Sequence, residues 1–447
     1  MTTPRAPWPR PGGAFTAAEA GDRPPVPGDV PGLRDLLPEE AEAMRATQEA
    51  VLAEMRRWGY RLVVTPTLER LDVLALGLDG EQRRRLFKLT DGDGSVLALV
   101  GERTIPVARL VAGKLRSAPL PLRLCYTGPV LTNDPGRFVR RREAHQVGAE
   151  LVGASGPVAD AEVIAMAVRC LDAAGLRRYQ VDVGHAEFFR GLLDSSELPA
   201  ALKSGVEAAL GRRDFVALAE LLESTSLRNA EHELLLRFPA LRGGAEILEA
   251  AGALVRNRRS ERALQELDRV HELLRAHGLG DAVSFDLGAI RDFDYYTGVI
   301  FEGYGPDVGR PLVLGGRYDR LLARFGRPAP ATGFMVHLDL VGEVLWREGW
   351  SPALTRLDAG VAWTPAGLEA ALRLGARLRL FGMRAVVDTR SRGLEEARGW
   401  AQALKARNLL HVDGEAGVVW APAEGPPIRL APDEVVERLT HTAEASR

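Results

Sequence analysis

From about residue 31 onward the apolar positions alternate between helical and strand-like spacing. Between Pro38 and Trp58, residues Met44, Val51, Leu52 and Met55 fall on one helical stripe, and Gly59 ends the run. Arg61-Leu-Val-Val-Thr65 reads as a strand closed by Pro66. Leu86–Leu89 and Val96–Val100 flank Asp91-Gly-Asp-Gly94, which is hairpin chemistry. The pattern next predicts a helix from Pro106 to about Arg116, strands near Leu122–Tyr126 and Arg142–Leu151, and a long helix over Ala159–Ala174. Residues 186–276 are dense in Leu, Ala, Glu and Arg and read as helical almost throughout. They lie between strands at Gln180–Val183 and Val283–Leu287, so a helical insertion into a sheet domain is expected. Strands Gly298–Glu302 and Arg310–Leu314 follow, then a helix from about Leu338 to Arg347.

A linker over Glu348–Arg356 separates this region from residues 357–442, which alternate strand and helix. Such alternation predicts a small α/β domain over 357–447. The organisation expected is therefore a disordered extension over residues 1–28, an α+β domain built on an antiparallel sheet over 29–348, and the α/β domain.

Composition changes that picture little. At 447 residues, 46% hydrophobic and 26% charged, the chain has the make-up of an ordinary globular protein. No apolar run reaches membrane-spanning length, and no secretory start is seen, so a cytoplasmic location is expected. Two cysteines, Cys125 and Cys170, are too few for a metal cluster or a disulfide framework. A formal net charge of −2 argues against a chain built mainly to grip nucleic acid.

Candidate chemistry gathers in three segments. Arg291-Asp-Phe-Asp-Tyr-Tyr-Thr-Gly298 and Gly315-Gly-Arg-Tyr-Asp319 together combine carboxylates, phenols and guanidinium groups with glycines that allow close backbone approach. Arg291, Asp294, Tyr295, Tyr296 and Tyr318 are the side chains expected to wall a polar pocket. In Gly101-Glu-Arg-Thr104, Glu102 can accept from an ammonium, and Thr104 can either bind a ligand or cap the following helix. Alternation places Arg142, Gln146 and Glu150 on one strand face, where polar groups inside a core would need partners. His145 points the other way and reads as a packed core histidine.

Over roughly residues 30–345 these blocks and the order of elements resemble histidyl-tRNA synthetases, a class II synthetase family. The resemblance implies a histidine site lined by Glu102, Thr104, Gln146, Glu150, Tyr295, Tyr296 and Tyr318, with Arg291 at the position of the synthetases' catalytic arginine. The nucleotide-handling residues depart from that family. Thr132 stands where its motif 2 arginine clamps the α-phosphate, and Leu340 stands where its motif 3 arginine holds the nucleotide. Threonine and leucine offer neither charge nor a bidentate fork. Losing one such donor typically slows a reaction about 10²- to 10³-fold, so with two lost, adenylate formation should be negligible.

A synthetase-like domain without adenylation residues resembles the regulatory subunits of ATP phosphoribosyltransferase. That resemblance implies a chain with no catalysis, cofactor or metal of its own, acting in the first step of histidine biosynthesis. It also implies a hetero-oligomer with a short-form catalytic subunit, histidine as the sensed ligand, and a homodimer core through residues 38–65. Transfer RNA is not an expected partner, because residues 357–442 resemble a degraded anticodon-binding domain without an aromatic stacking platform. The alternatives are a divergent synthetase, which would need guanidinium groups from Arg137 or Arg140–Arg142 at the lost positions, and a synthetase-derived RNA-binding module.

Overall fold

A computed structural model describes residues 30–133, 141–196, 198–211, 214–223, 235, 237, 241–288, 296–349, 357–414, 417–422 and 426–444. The chain divides into two compact units, residues 1–351 and 352–447.

In the first unit, helix α1 (Pro38–Arg57) precedes the short strand β1 (Arg61–Leu62). Strand β2 (Leu68–Arg70), helices α2 (Leu71–Leu74) and α3 (Gly80–Arg84), and strands β3 (Lys88–Thr90) and β4 (Val96–Leu99) lead to helix α4 (Thr104–Ala112). Strands β5 (Leu122–Leu131) and β6 (Glu143–Val152) form a long hairpin followed by helix α5 (Pro157–Ala173). The remaining strands are β7 (Gln180–His185), β8 (Arg242–Gly243), β9 (Val283–Asp286), β10 (Val299–Tyr304), β11 (Val313–Arg317) and β12 (Ala331–His337). Nine strands make one sheet in the order β1-β5-β6-β12-β11-β10-β7-β9-β8, and β2-β4-β3 form a small second sheet.

The parallel pairing of β7 with β9 explains the helical insertion. Parallel neighbours need a crossover, and the segment containing helices Ala186–Ser195 and Arg258–Ala276 supplies it. Period-two alternation then divides the core. Val147, Ala149 and Leu151 of β6 face Val51, Leu52 and Met55 of α1 and the alanine-rich face of α5, in one apolar cluster. Gln146, Gly148 and Glu150 face the opposite side. There Val107, Ala108 and Val111 of α4 pack with Leu124, Tyr126, Ile300 and Tyr318. The candidate site thus lies between the sheet and α4.

The second unit holds a five-stranded sheet in the order β14 (Ala385–Val387), β13 (Ala359–Trp363), β15 (Asn408–Val412), β16 (Val418–Pro422), β17 (Ile428–Leu430). The first three strands are parallel. Helices Leu368–Leu380, Leu394–Ala403 and Pro432–Glu444 accompany them. The last helix, β17 and β12 were not anticipated from the sequence. The strand expected over Arg61–Thr65 shrinks to β1, because Val64 and Thr65 leave the sheet, although Val63 still donates to Cys125. No described helix is long and apolar enough to cross a membrane.

Candidate functional site

Four adjacent strands build the floor. Glu150 of β6 lies opposite Leu124 of β5 and Gly333 of β12, and Gly333 lies opposite Gly316 of β11. Gly148 pairs with Tyr126, and Gln146 pairs with Gly128 and His337. The glycines are there to make room. A Cβ at Gly333 would overlap the Glu150 carboxyl, and one at Gly148 would overlap the Tyr126 hydroxyl and stand 2.6 Å from the Phe334 carbonyl. A Cβ at Gly316 would stand 2.8 Å from Cε1 of Tyr296. Glycine at these three positions leaves the space above the sheet to the polar side chains.

Those side chains form one network. Tyr318 donates its hydroxyl hydrogen to Oε2 of Glu150. The Glu102 carboxylate accepts from the Thr104 and Ile105 backbone N–H groups, each at 2.9 Å. The Thr104 hydroxyl lies in hydrogen-bond contact with both Glu102 and Glu150. Oε1 of Glu150 and Oε1 of Gln146 are buried and, among the described residues, have no hydrogen-bond partner. Two orphaned acceptors on one strand face, four residues apart, are what the separate donors of a ligand such as an ammonium and an imidazole would satisfy.

Burial pushes both carboxyls up, Glu102 to about 7 and Glu150 to about 8, and their mutual repulsion adds to the effect on Glu150. Tyr126, enclosed beside both acids, is held well above the ordinary phenol range, chiefly by burial. The floor therefore holds protons near neutral pH, and a cationic group entering it would favour their release.

The family model for histidyl-tRNA synthetase matches residues 32–341. A curated relative from Moorella thermoacetica, an ATP phosphoribosyltransferase regulatory subunit, is 41% identical over 83% of this chain and 95% of its own length. Another of the same description, from Symbiobacterium thermophilum, is 40% identical over 85% and 95% respectively. The chain belongs to the histidyl-tRNA synthetase-like family of ATP phosphoribosyltransferase regulatory subunits. A solved structure from Bacillus halodurans, described as an ATP phosphoribosyltransferase regulatory subunit/histidyl-tRNA synthetase, aligns at TM-score 0.78 and 31% identity over 88% of this chain and all of that one. Histidyl-tRNA synthetase from Nostoc sp. PCC 7120, at TM-score 0.77 and 18% identity, shares the class II fold.

Of the residues the family resemblance assigns to the pocket, Glu102, Thr104, Gln146, Glu150, Tyr296 and Tyr318 lie around this floor. Arg291, Asp294 and Tyr295 fall outside the described residues. Helix capping falls to Glu102 rather than to Thr104, whose hydroxyl turns into the network.

Arg142 precedes β6, donates to Asn133, and lies 4.4 Å from the centroid of the Phe87 ring. One expectation is corrected. His145 is not a packed core residue. It is half-buried and faces Asp339, whose carboxylate accepts from the His145 backbone N–H at 2.6 Å and raises the imidazole pKa.

In the Gly315–Asp319 motif only Tyr318 faces the pocket among its charged and phenolic residues. Arg317 is buried, pairing with Asp160 at 2.9 Å and with Asp319 at 2.9 Å. Sequence reading missed Tyr126, Arg103 and the Arg317–Asp160 pair. Tyr126 was legible in principle, since it alternates with Leu124 and Gly128 on β5.

At the positions of the family's nucleotide arginines, Thr132 donates its backbone N–H to the Arg142 carbonyl, and Leu340 packs in the apolar core with Leu338 and Val341. Neither supplies a cation.

Proposed function

We propose that this chain is a non-catalytic regulatory subunit of ATP phosphoribosyltransferase, required by a short-form catalytic subunit in the first step of histidine biosynthesis, and that it senses histidine in the pocket around Glu150. The observation that carries the reading is a contrast. The acid pair and its orphaned acceptors suit an amino acid's donors, while Thr132 and Leu340 offer nothing to a triphosphate. The names of the relatives support the same assignment. End-product binding in one subunit and catalysis in another is a coupling between two sites, and it needs no chemistry in the sensor.

A divergent synthetase would need substitute guanidinium groups. Among the described arginines near the lost positions, Arg141 faces Asp339 at 3.3 Å and Arg142 lies over Phe87, so both are already engaged. Histidine-dependent pyrophosphate exchange decides between the readings. The chain alone should give none, and mixing it with a short-form catalytic subunit should restore ATP phosphoribosyl transfer. Robust exchange by the chain alone would overturn the regulatory reading.

Calorimetry on the assembled complex should show histidine binding in the micromolar range usual for metabolite sites, equivalent to about −8 kcal/mol at 1 μM. Glu150→Ala or Tyr296→Ala should weaken it strongly. Absence of binding to the unmodified complex would remove the pocket assignment. We further propose a homodimer formed through α1 and the edge strand β1, where Val64 is 81% exposed and Leu62 45%.

A further inference from the structure

Arg103 follows Glu102 in the turn that opens α4, and only 3% of it is exposed. Its guanidinium lies against Gly128, where any Cβ would overlap Nη2 and stand 2.9 Å from Nε. Nη2 donates to the Pro129 carbonyl at 2.7 Å, and Nη1 reaches the Thr65 carbonyl at 3.4 Å and its hydroxyl at 3.3 Å. Every one of these acceptors is neutral. Nε is buried and has no hydrogen-bond partner among the described residues.

The other deeply buried arginine, Arg317, shows the usual solution: two carboxylates face its guanidinium. The nearest acid in sequence to Arg103 is Glu102, and its carboxylate turns instead to the N–H groups of α4. Glu102 acts on Arg103 only through its charge, so among the described residues the desolvated cation keeps a bare donor and no ion-paired carboxylate, and it calls for an anion.

The place of that cation indicates which anion. Gly128 pairs with Gln146, whose Oε1 is itself orphaned, and Gly148 and Glu150 continue the same strand face. One end of the pocket thus holds carboxyl groups and the other a guanidinium, the polarity of an amino-acid zwitterion. We propose that Arg103 is a specificity-determining residue that receives the α-carboxylate of the bound ligand. The proposal rests on the amino-acid reading of the pocket and adds the group that separates an amino acid from the corresponding amine.

Calorimetry on the full chain with histidine and with histamine, which lacks only the carboxylate, tests it. A hydrogen bond to a charged group contributes about 1.5–3 kcal/mol, so the unmodified chain should prefer histidine by about 10- to 150-fold. Arg103→Met should bring that preference to within about threefold while leaving histamine affinity unchanged. Arg103→Lys, which keeps charge without the planar fork, should fall between the two. Equal binding of histidine and histamine by the unmodified chain overturns the proposal without any variant. So does a preference that survives in Arg103→Met, or a parallel loss of both ligands, which would mark a purely structural role. Failure of both ligands to bind the unmodified chain would instead remove the amino-acid reading itself.

Discussion

Glu102 and Glu150 are acids kept protonated into the neutral range by burial, and this has two consequences of opposite benefit. Folded, the pair binds more protons than the unfolded chain does between its ordinary value of 4.5 and about 8. Stability contributed by the pair is therefore greatest at low pH within that window and falls as pH rises through it. Thermal melts between pH 5.5 and 8.5 should show this decline, and Glu150→Gln, which mimics the protonated form, should flatten it; an unchanged slope would refute the assignment. Binding runs the other way. A ligand ammonium is best met by ionised carboxyls, so histidine binding near neutral pH should release protons, read as a dependence of the calorimetric enthalpy on the buffer's ionisation heat. Elsewhere the same physics acts structurally. Removing Arg317 leaves Asp160 buried without its cation, and Arg317→Met should destabilise the fold by about 3–5 kcal/mol in denaturant unfolding.

Among elements, β6 and β12 carry the site, and they were unequally legible. In β6 the alternation of Gln146, Gly148 and Glu150 with Val147, Ala149 and Leu151 is written in the sequence, and the structure keeps it. Its bounds follow the expected strand to within one residue. Strand β12, Ala-Thr-Gly-Phe-Met-Val-His, is covered on both faces along most of its length, so no polar alternation announces it. Its glycine is nonetheless decisive. Gly333→Ala should push the new methyl into Glu150, cost about 1–3 kcal/mol in stability and abolish histidine binding. Ordinary affinity in that variant would show that the close approach is not needed.

At the scale of the molecule, β1 ends the nine-stranded sheet and leaves exposed apolar side chains beside it. If that edge forms the proposed homodimer, Val64→Asp should shift the sedimenting species toward monomer while leaving the melting temperature of the monomer little changed; an unchanged dimer would point to another interface. The sequence by itself determined most of the long helices and the residue types gathered around the pocket. These follow from local periodicity and from side-chain chemistry that needs no neighbour to be recognised. Only the tertiary structure decided which polar groups face one another: that Glu102 and Glu150 share Thr104, that Arg317 pairs with Asp160, and that no described carboxylate forms an ion pair with Arg103. Pairing between residues far apart in the chain is set by strand order and register across the four adjacent strands of the floor, and no window along a single strand contains that information.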